Sequence, residues 1–217
     1  MELFFFVGPF YSVFISVTHM SLFKTNCAAA LPTLPHTTTE LVHRALEGDS
    51  WAEETLYRNH VHGVTNFCLR MIRSRVDTED VVQETFVQAF RKLHTLREPE
   101  KFQSWLTRIS YNHMQQLFRQ KKRTFNTLFR DDLYNTPLEE QVVSDATQEQ
   151  RTEIALLDTA FDQMKDEERA CWVLRYLERY RIKEIVKITG LSKNTVKRRI
   201  AAAQDTVNSH FGESIHE

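Results

Sequence analysis

The sequence predicts an all-α protein made of two small helical domains joined by an acidic flexible linker. Three observations carry that expectation. Only 5 glycines and 5 prolines occur among 217 residues, so few positions break a helix, while the good helix formers Leu, Gln, Glu, Arg and Lys abound. Hydrophobic residues make up 41% and charged residues 26%, a globular balance in a chain long enough to bury a core without disulfides or metals. Apolar residues recur at spacings of three and four through most of the chain, the period of an amphipathic helix.

The elements follow in order. Residues 1–36 form an apolar extension, whose Leu3–Val17 stretch is too short for a comfortable bilayer span and is interrupted by Gly8-Pro9. Glu2 is its only early charge, unlike the basic start of a signal peptide. The expectation is that translation begins at Met20 and that this segment is spurious or disordered, the alternative being a membrane tether. Thr37–Glu40 then offers helix N-caps, and Gly48-Asp49 is the stop signal. A helix from Trp51 to Ile72 carries Leu56, Val64, Phe67 and Met71 on one stripe. Asp77 is expected to cap the next helix, where Val82, Phe86, Ala89, Phe90 and Leu93 recur at helical spacing.

The stretch HTLREPEK contains Pro99 and reads as a loop. A long helix follows from Phe102 to Arg123, with Trp105, Leu106, Ile109 and Leu117 as core positions. From residue 124 to 150 acids dominate, Pro137 intervenes and periodicity fades, so this span reads as a mobile linker between domains 37–123 and 151–212. The second domain buries Leu156, Leu157, Phe161, Trp172, Val173, Leu177, Ile185 and Ile188 by pattern.

Two stretches carry chemistry. Phe102–Arg123 holds Arg108, Arg119, Lys121, Lys122 and Arg123 with no acid, interleaved with Phe102, Trp105, Tyr111 and Phe118. Bases of a single strand stack on such rings while cations hold the backbone. Equally, the aromatics can be core and the basic end a complement to the helix dipole. The second stretch is YRIKEIVKITGLSKNTVKRRI, with seven bases against the single acid Glu184. Ile182–Thr189 reads as a short helix, Gly190 as a positive-φ turn and Ser192 as the cap of a second helix.

That is a helix-turn-helix, whose second helix enters the major groove. Val196, Ile200, Ala203, Val207 and Phe211 face the domain, leaving Lys193, Asn194, Lys197, Arg198 and Ala201 outward. Lys, Arg and Asn pair with base edges, and Thr195 and Arg199 are placed to reach phosphates. Competing with this is a plain helical hairpin with a basic face.

The three cysteines, Cys27, Cys68 and Cys171, are odd in number and far apart, so no disulfide framework is read and a reducing cytosol is the default. His60, His62 and Cys68 lack a fourth ligand for zinc, so no metal site is expected. Asp80 and Glu84 lie one helical turn apart but have no partner base, Gly-rich loop or metal cluster, and no enzyme, cofactor or small-molecule substrate is expected.

Taken together, DTEDVVQETFVQAFRKL with FQSWLTRISYNHMQQLFRQKKR resembles region 2 of the sigma-70 family in its extracytoplasmic-function (ECF) form, and DEERACWVLRYLERYRIKEIVKITGLSKNTVKRRI resembles region 4. The resemblance spans about Thr37 to Phe211. It implies a cytoplasmic sigma factor that directs bacterial RNA polymerase to promoters and assists melting. It implies as partners the polymerase core, at the β′ clamp coiled coil and β flap, promoter DNA and an anti-sigma factor. By that likeness Asp80, Gln83, Glu84 and Phe86 contact the polymerase. Phe102, Trp105, Arg108, Asn112, Gln116, Arg119 and Lys122 serve the −10 element, with the loop Leu93 to Lys101 helping to hold a flipped base. Lys193, Asn194, Thr195, Lys197, Arg198 and Arg199 serve the −35 element.

The sequence departs from the family at Gln116, commonly an acid, at Tyr111, often Arg, at Val186, usually small, at Lys165, often Pro, and at Ala201-Ala202. The alternatives are a stand-alone helix-turn-helix regulator and a membrane-associated signalling protein anchored by Leu3–Val17.

Overall fold

The computed structural model describes residues 36–127 and 148–213, with side chains over 36–122 and 156–210. Every regular element among the described residues is helical. The apolar extension, the linker residues 128–147 and the side chains of Arg123 and Phe211 lie outside the described residues.

Helix α1 spans Thr38–Leu46 and opens with a capping box, in which the Glu40 amide donates to Thr37 Oγ1 at 3.2 Å and the Thr37 amide to Glu40 at 2.9 Å. Asp49 caps α2, Ser50–Ile72, by accepting from the amides of Trp51 and Ala52, and also binds Arg44. Arg73 closes α2 in the left-handed conformation, φ 57°. Helix α3, Arg75–Arg91, is capped by Ser74 rather than Asp77. Asp77 is free of the cap because its carboxylate binds Lys121 of α4 at 2.6 Å. Two 3-10 turns, Leu93–Thr95 and Pro99–Lys101, shape the expected loop and lead into α4, Phe102–Thr127. Helix α4 thus continues to Thr127, past the expected end at Arg123.

Helices α1 to α4 close around Leu41, Leu56, Met71, Ile72, Phe86, Phe102, Leu106 and Met114, all at 2% exposure or less. The second half begins with α5, Gln148–Gln163, three residues earlier than expected. It continues through α6, Asp166–Trp172, a π-helical turn Val173–Leu177, α7, Ile182–Thr189, and α8, Lys193–Glu213. Its core joins Phe161, Leu174, Ile185, Val196 and Ala203, with Phe161 edge-on to Trp172 at 5.5 Å. The expected core positions Leu156, Leu157, Leu177 and Ile200 are only half-buried. The described residues from Thr37 onward form one compact unit, in which α4 packs directly on α7.

Candidate nucleic-acid interface

Helix α3 turns one face to solvent. Val76, Asp80, Gln83, Glu84 and Val87 are exposed and recur at three- and four-residue intervals, which places them on one side of the helix. The two valines flank the acids and are 72% and 39% exposed. Phe86, expected as the apolar anchor of this face, is instead 1% exposed, with Tyr57 edge-on at 4.7 Å. The reason is angular. Positions 82, 86 and 89 share the stripe that faces the core, opposite Asp80 and Glu84. Val76 and Val87 are the apolar members that sequence reading missed; the signal was their three- and four-residue spacing from Asp80, Gln83 and Glu84.

Helix α4 presents a second face. Arg108, Asn112, Gln116, Arg119 and Lys122 are all exposed and again recur every three or four residues. No acidic side chain interrupts this stripe. Phe102 is not part of it. Its ring is wholly buried, with His60 edge-on at 5.0 Å and Trp105 at 6.0 Å, because the turn Pro99–Lys101 aims the first residue of α4 inward. Trp105 is half-buried and keeps part of its ring accessible. Lys121, one of the basic residues of this helix, is committed to Asp77. Burial alone would raise the Asp77 carboxyl, but the hydrogen bonds from Lys121 and Ser74 outweigh it and hold the group below its ordinary range.

An open groove of about 260 Å³ runs between the two faces, lined by Asp80 and Glu84 on one side and His113 and Gln116 on the other. His113 Nε2 lies 2.6 Å from Gln88 Oε1 and ties α4 to α3; burial pulls its pKa down, so the neutral ring is favoured.

The helix-turn-helix forms as its residues require. Gly190 ends α7 with φ 73°, a left-handed conformation that glycine adopts without strain. Ser192 Oγ accepts from the Thr195 amide at 3.2 Å and fixes the start of α8. Lys193, Asn194, Lys197, Arg198 and Ala201 are exposed, while Val196, Ala203 and Val207 face the core. Thr195 is half-buried, its hydroxyl 2.8 Å from Ser192 Oγ. Arg199 departs from the phosphate role expected of it. Its guanidinium spans Glu168, at 2.9 Å, and Glu167, both on α6. Position 199 lies three residues from core Val196, so its side chain is held along the domain edge rather than outward.

His60, His62 and Cys68 do not converge. The His60 ring packs on Phe102, His62 is exposed, and Cys68 is sealed, burial pushing its thiol up. Among the described residues no cluster suited to a metal ion occurs.

Comparison with known proteins shows the family of the chain. Sigma-70 region 2 matches residues 56–124, and Sigma-70, region 4 matches residues 154–203. The chain belongs to the sigma-70 family. Among its relatives are the ECF RNA polymerase sigma factor SigE of Mycolicibacterium smegmatis, 29% identical over 77% of this chain and 64% of that protein, and the ECF RNA polymerase sigma-E factor of Haemophilus influenzae, 29% identical over 78% of this chain and 92% of that one.

Two solved structures share the fold. The sigma factor RpoE in complex with the anti-sigma factor NepR from Bartonella quintana has a TM-score of 0.60 at 15% identity, covering 73% of this chain and 96% of its own. CnrH in complex with the cytosolic domain of CnrY has a TM-score of 0.59 at 24% identity, covering 81% and 97%. The chain is thus an ECF-type sigma factor by family. Helices α2 to α4 belong to region 2, and α5 to α8 to region 4. No helix among the described residues is long and apolar enough to cross a membrane.

Proposed function

We propose that this sigma factor docks RNA polymerase through the outer face of α3, engages the −10 strand along α4 and reads the −35 duplex with α8. The observation that carries this reading is the separation of surfaces. An acidic–apolar stripe on α3 and an acid-free polar stripe on α4 stand on adjacent helices, and a cationic recognition helix occupies the other region. Asp80, Gln83 and Glu84 suit a basic helical surface such as the β′ clamp coiled coil. Val76 and Val87 supply apolar contact at either end, in place of Phe86. The β flap is the proposed partner of region 4, and the protein would work in the cytoplasm beside polymerase. An anti-sigma factor is a further proposed partner, in keeping with the two complexed relatives of like fold.

On α4, Arg108, Arg119 and Lys122 would hold the strand backbone, Asn112 and Gln116 offer hydrogen bonds, and the accessible edge of Trp105 remains for stacking. On α8, Lys193, Asn194, Lys197 and Arg198 would meet base edges and phosphates, with Thr195 fixing the cap. Affinity would come largely from counterion release and selection from base contacts. No enzymatic step is proposed.

The decisive experiment is run-off transcription by core polymerase over a genomic library with and without this protein; absence of new start sites would defeat the reading. Replacing Lys197 or Arg198 with alanine is expected to change which start sites are used, each lost base contact weakening discrimination by about 1–3 kcal/mol, while polymerase binding is unchanged. Unaltered start-site choice in both variants would mean that α8 reads through other residues. Val76→Asp with Val87→Asp should weaken core-polymerase affinity about tenfold, close to 1.4 kcal/mol. Thermal stability should barely move, because both side chains are exposed. Wild-type affinity would remove the valines from the docking face.

A further inference from the structure

The turn that leads into the helix-turn-helix is strained. The π-helical turn Val173–Leu177 is closed by the Tyr180 amide, which donates to the Leu174 carbonyl at 2.9 Å. Turns of this kind are frequent at functional places in helical proteins. Closing it puts Arg179 in the left-handed conformation, φ 59°. Glycine takes that conformation without strain and is the usual residue just past a helix end, as Gly190 is at the end of α7. A long side chain held there is strained, and such strain collects where a chain has a use for it.

Nothing inside the protein accounts for the arginine. Its guanidinium is exposed and takes no hydrogen bond or ion pair among the described residues. Tyr180 beside it turns the other way, half-buried, with its hydroxyl 2.9 Å from that of Thr107 on α4. Anchoring Tyr180 inward leaves the flanking Arg179 and Arg181 outward, and both are exposed. Arg175, exposed as well, donates to the Tyr180 carbonyl at 3.2 Å and is held over the same turn.

Helix α7 continues the charge. Its Ile185 and Ile188 are buried, while Lys183 and Lys187, one turn apart on the side away from Ile185, are exposed. The acids of the stretch do little to offset these cations. Glu178 holds Arg70 at 2.8 Å, and half-buried Glu184 is turned back onto the Arg181 amide at 2.8 Å. The formal net charge of the whole chain is −1, so this concentration of cations is a local field rather than a general basicity.

Position selects the occupant. In a helix-turn-helix the first helix crosses the sugar-phosphate backbone while the second enters the groove. Lys187 lies in the last turn of α7, and Gly190 and Ser192 lead straight on to Lys193, Asn194 and Lys197 of α8. Exposed cations beside a groove-reading helix suit phosphates, which fix register without carrying sequence.

We propose that Arg175, Arg179, Arg181, Lys183 and Lys187 form a sequence-independent grip on the backbone of duplex DNA, by which this sigma factor holds DNA without polymerase. The grip lies outside the helix that meets base edges, and it adds affinity where α8 adds selection. It rests on the helix-turn-helix reading of region 4. All five side chains are already exposed in the free chain, so no rearrangement has to come first. Five phosphate contacts give a slope of about −4.5 in log affinity against log salt, and the dissociation constant is expected near about 10 μM at physiological salt for any sequence.

The test titrates the full chain into two fluorescently labelled duplexes of unrelated sequence, neither a promoter, and follows anisotropy over a series of salt concentrations. Both duplexes should bind within about twofold of each other, with a slope of about −4.5 or steeper as α8 contributes. Arg179→Gly combined with Lys183→Gln and Lys187→Gln should weaken binding at least about tenfold at low salt, equally on both duplexes, and make the slope shallower by about 3. Arg179→Gly alone should weaken binding while raising the melting temperature by about 2 °C, because glycine relieves the left-handed strain. A variant that binds less and melts higher has not lost DNA by misfolding. Retention of the triple variant by tagged core polymerase should match that of the wild type.

No binding of the wild-type chain to either duplex at low salt overturns the grip and leaves polymerase-dependent reading by α8 standing. An unchanged slope in the triple variant overturns it equally. Loss of polymerase retention with duplex binding intact would give the surface to an acidic protein partner instead, and the grip would fall. Duplex binding that these substitutions weaken, in a chain that creates no new start sites with core polymerase, would uphold the grip and count against the sigma reading.

Discussion

Asp80→Arg combined with Glu84→Arg abolishes retention of the protein by core RNA polymerase, a loss of at least a thousandfold in affinity. Both carboxylates are exposed on α3, and neither takes part in an ion pair among the described residues, so reversing them leaves the fold intact within about 0.5 kcal/mol each. The effect on docking is large because it acts twice. Two favourable pairings with a basic partner disappear, and two like-charge juxtapositions replace them, each costing several kcal/mol. Pull-down with tagged core polymerase at physiological salt measures it, beside a wild-type control and a circular dichroism melt. Retention at wild-type levels would assign docking to another surface.

Phe102→Ala lowers the stability of the whole chain by about 3–5 kcal/mol, and Phe86→Ala by a similar amount. Both rings are essentially fully buried and bridge aromatic neighbours, Phe102 between His60 and Trp105, Phe86 between Tyr57 and Phe90. Truncation removes the transfer term and leaves a cavity that the helices around it can only partly collapse. Against a typical total of about 5–15 kcal/mol, that is a substantial fraction. Urea denaturation of each variant reads the change directly. A surface ring that stacked bases or touched polymerase would move the midpoint hardly at all, so an unchanged midpoint would return either phenylalanine to the surface role the family resemblance implied.

These two residues show where sequence reading is weak. The three- and four-residue period placed Phe86 on a core stripe, yet the family resemblance also counted it among polymerase contacts. Only packing resolves the conflict, because a single helix can turn either edge of its apolar stripe outward. Capping was misread for a related reason. Ser74 and Asp77 both suit a helix start, and the choice fell to Ser74 once Lys121, forty-four residues away in sequence, took the Asp77 carboxylate. Arg199 likewise belongs by spacing to the recognition helix, but Glu167 and Glu168, brought alongside by the fold of region 4, claim it first.

Much else was legible in advance. Leu56, Val64, Phe67 and Met71 are buried as their period required, and so are Ile185, Ile188, Val196 and Ala203. Gly190 and Ser192 mark the turn of the helix-turn-helix because positive φ and N-capping are properties of single residues in their local chain. The exposed stripe from Arg108 to Lys122 follows from helical spacing and the absence of acids alone.

The sequence by itself determined the helical class, the two regions, the helix-turn-helix and the exposed acid-free side of α4, since each depends on contacts within a few residues. Tertiary structure alone decided which aromatics are core, which charges are already spoken for, and that regions 2 and 4 meet through Arg73 and two aspartates, Asp158 and Asp162. Those outcomes depend on residues about thirty or more positions apart, and nothing local in the chain records which distant group will arrive first.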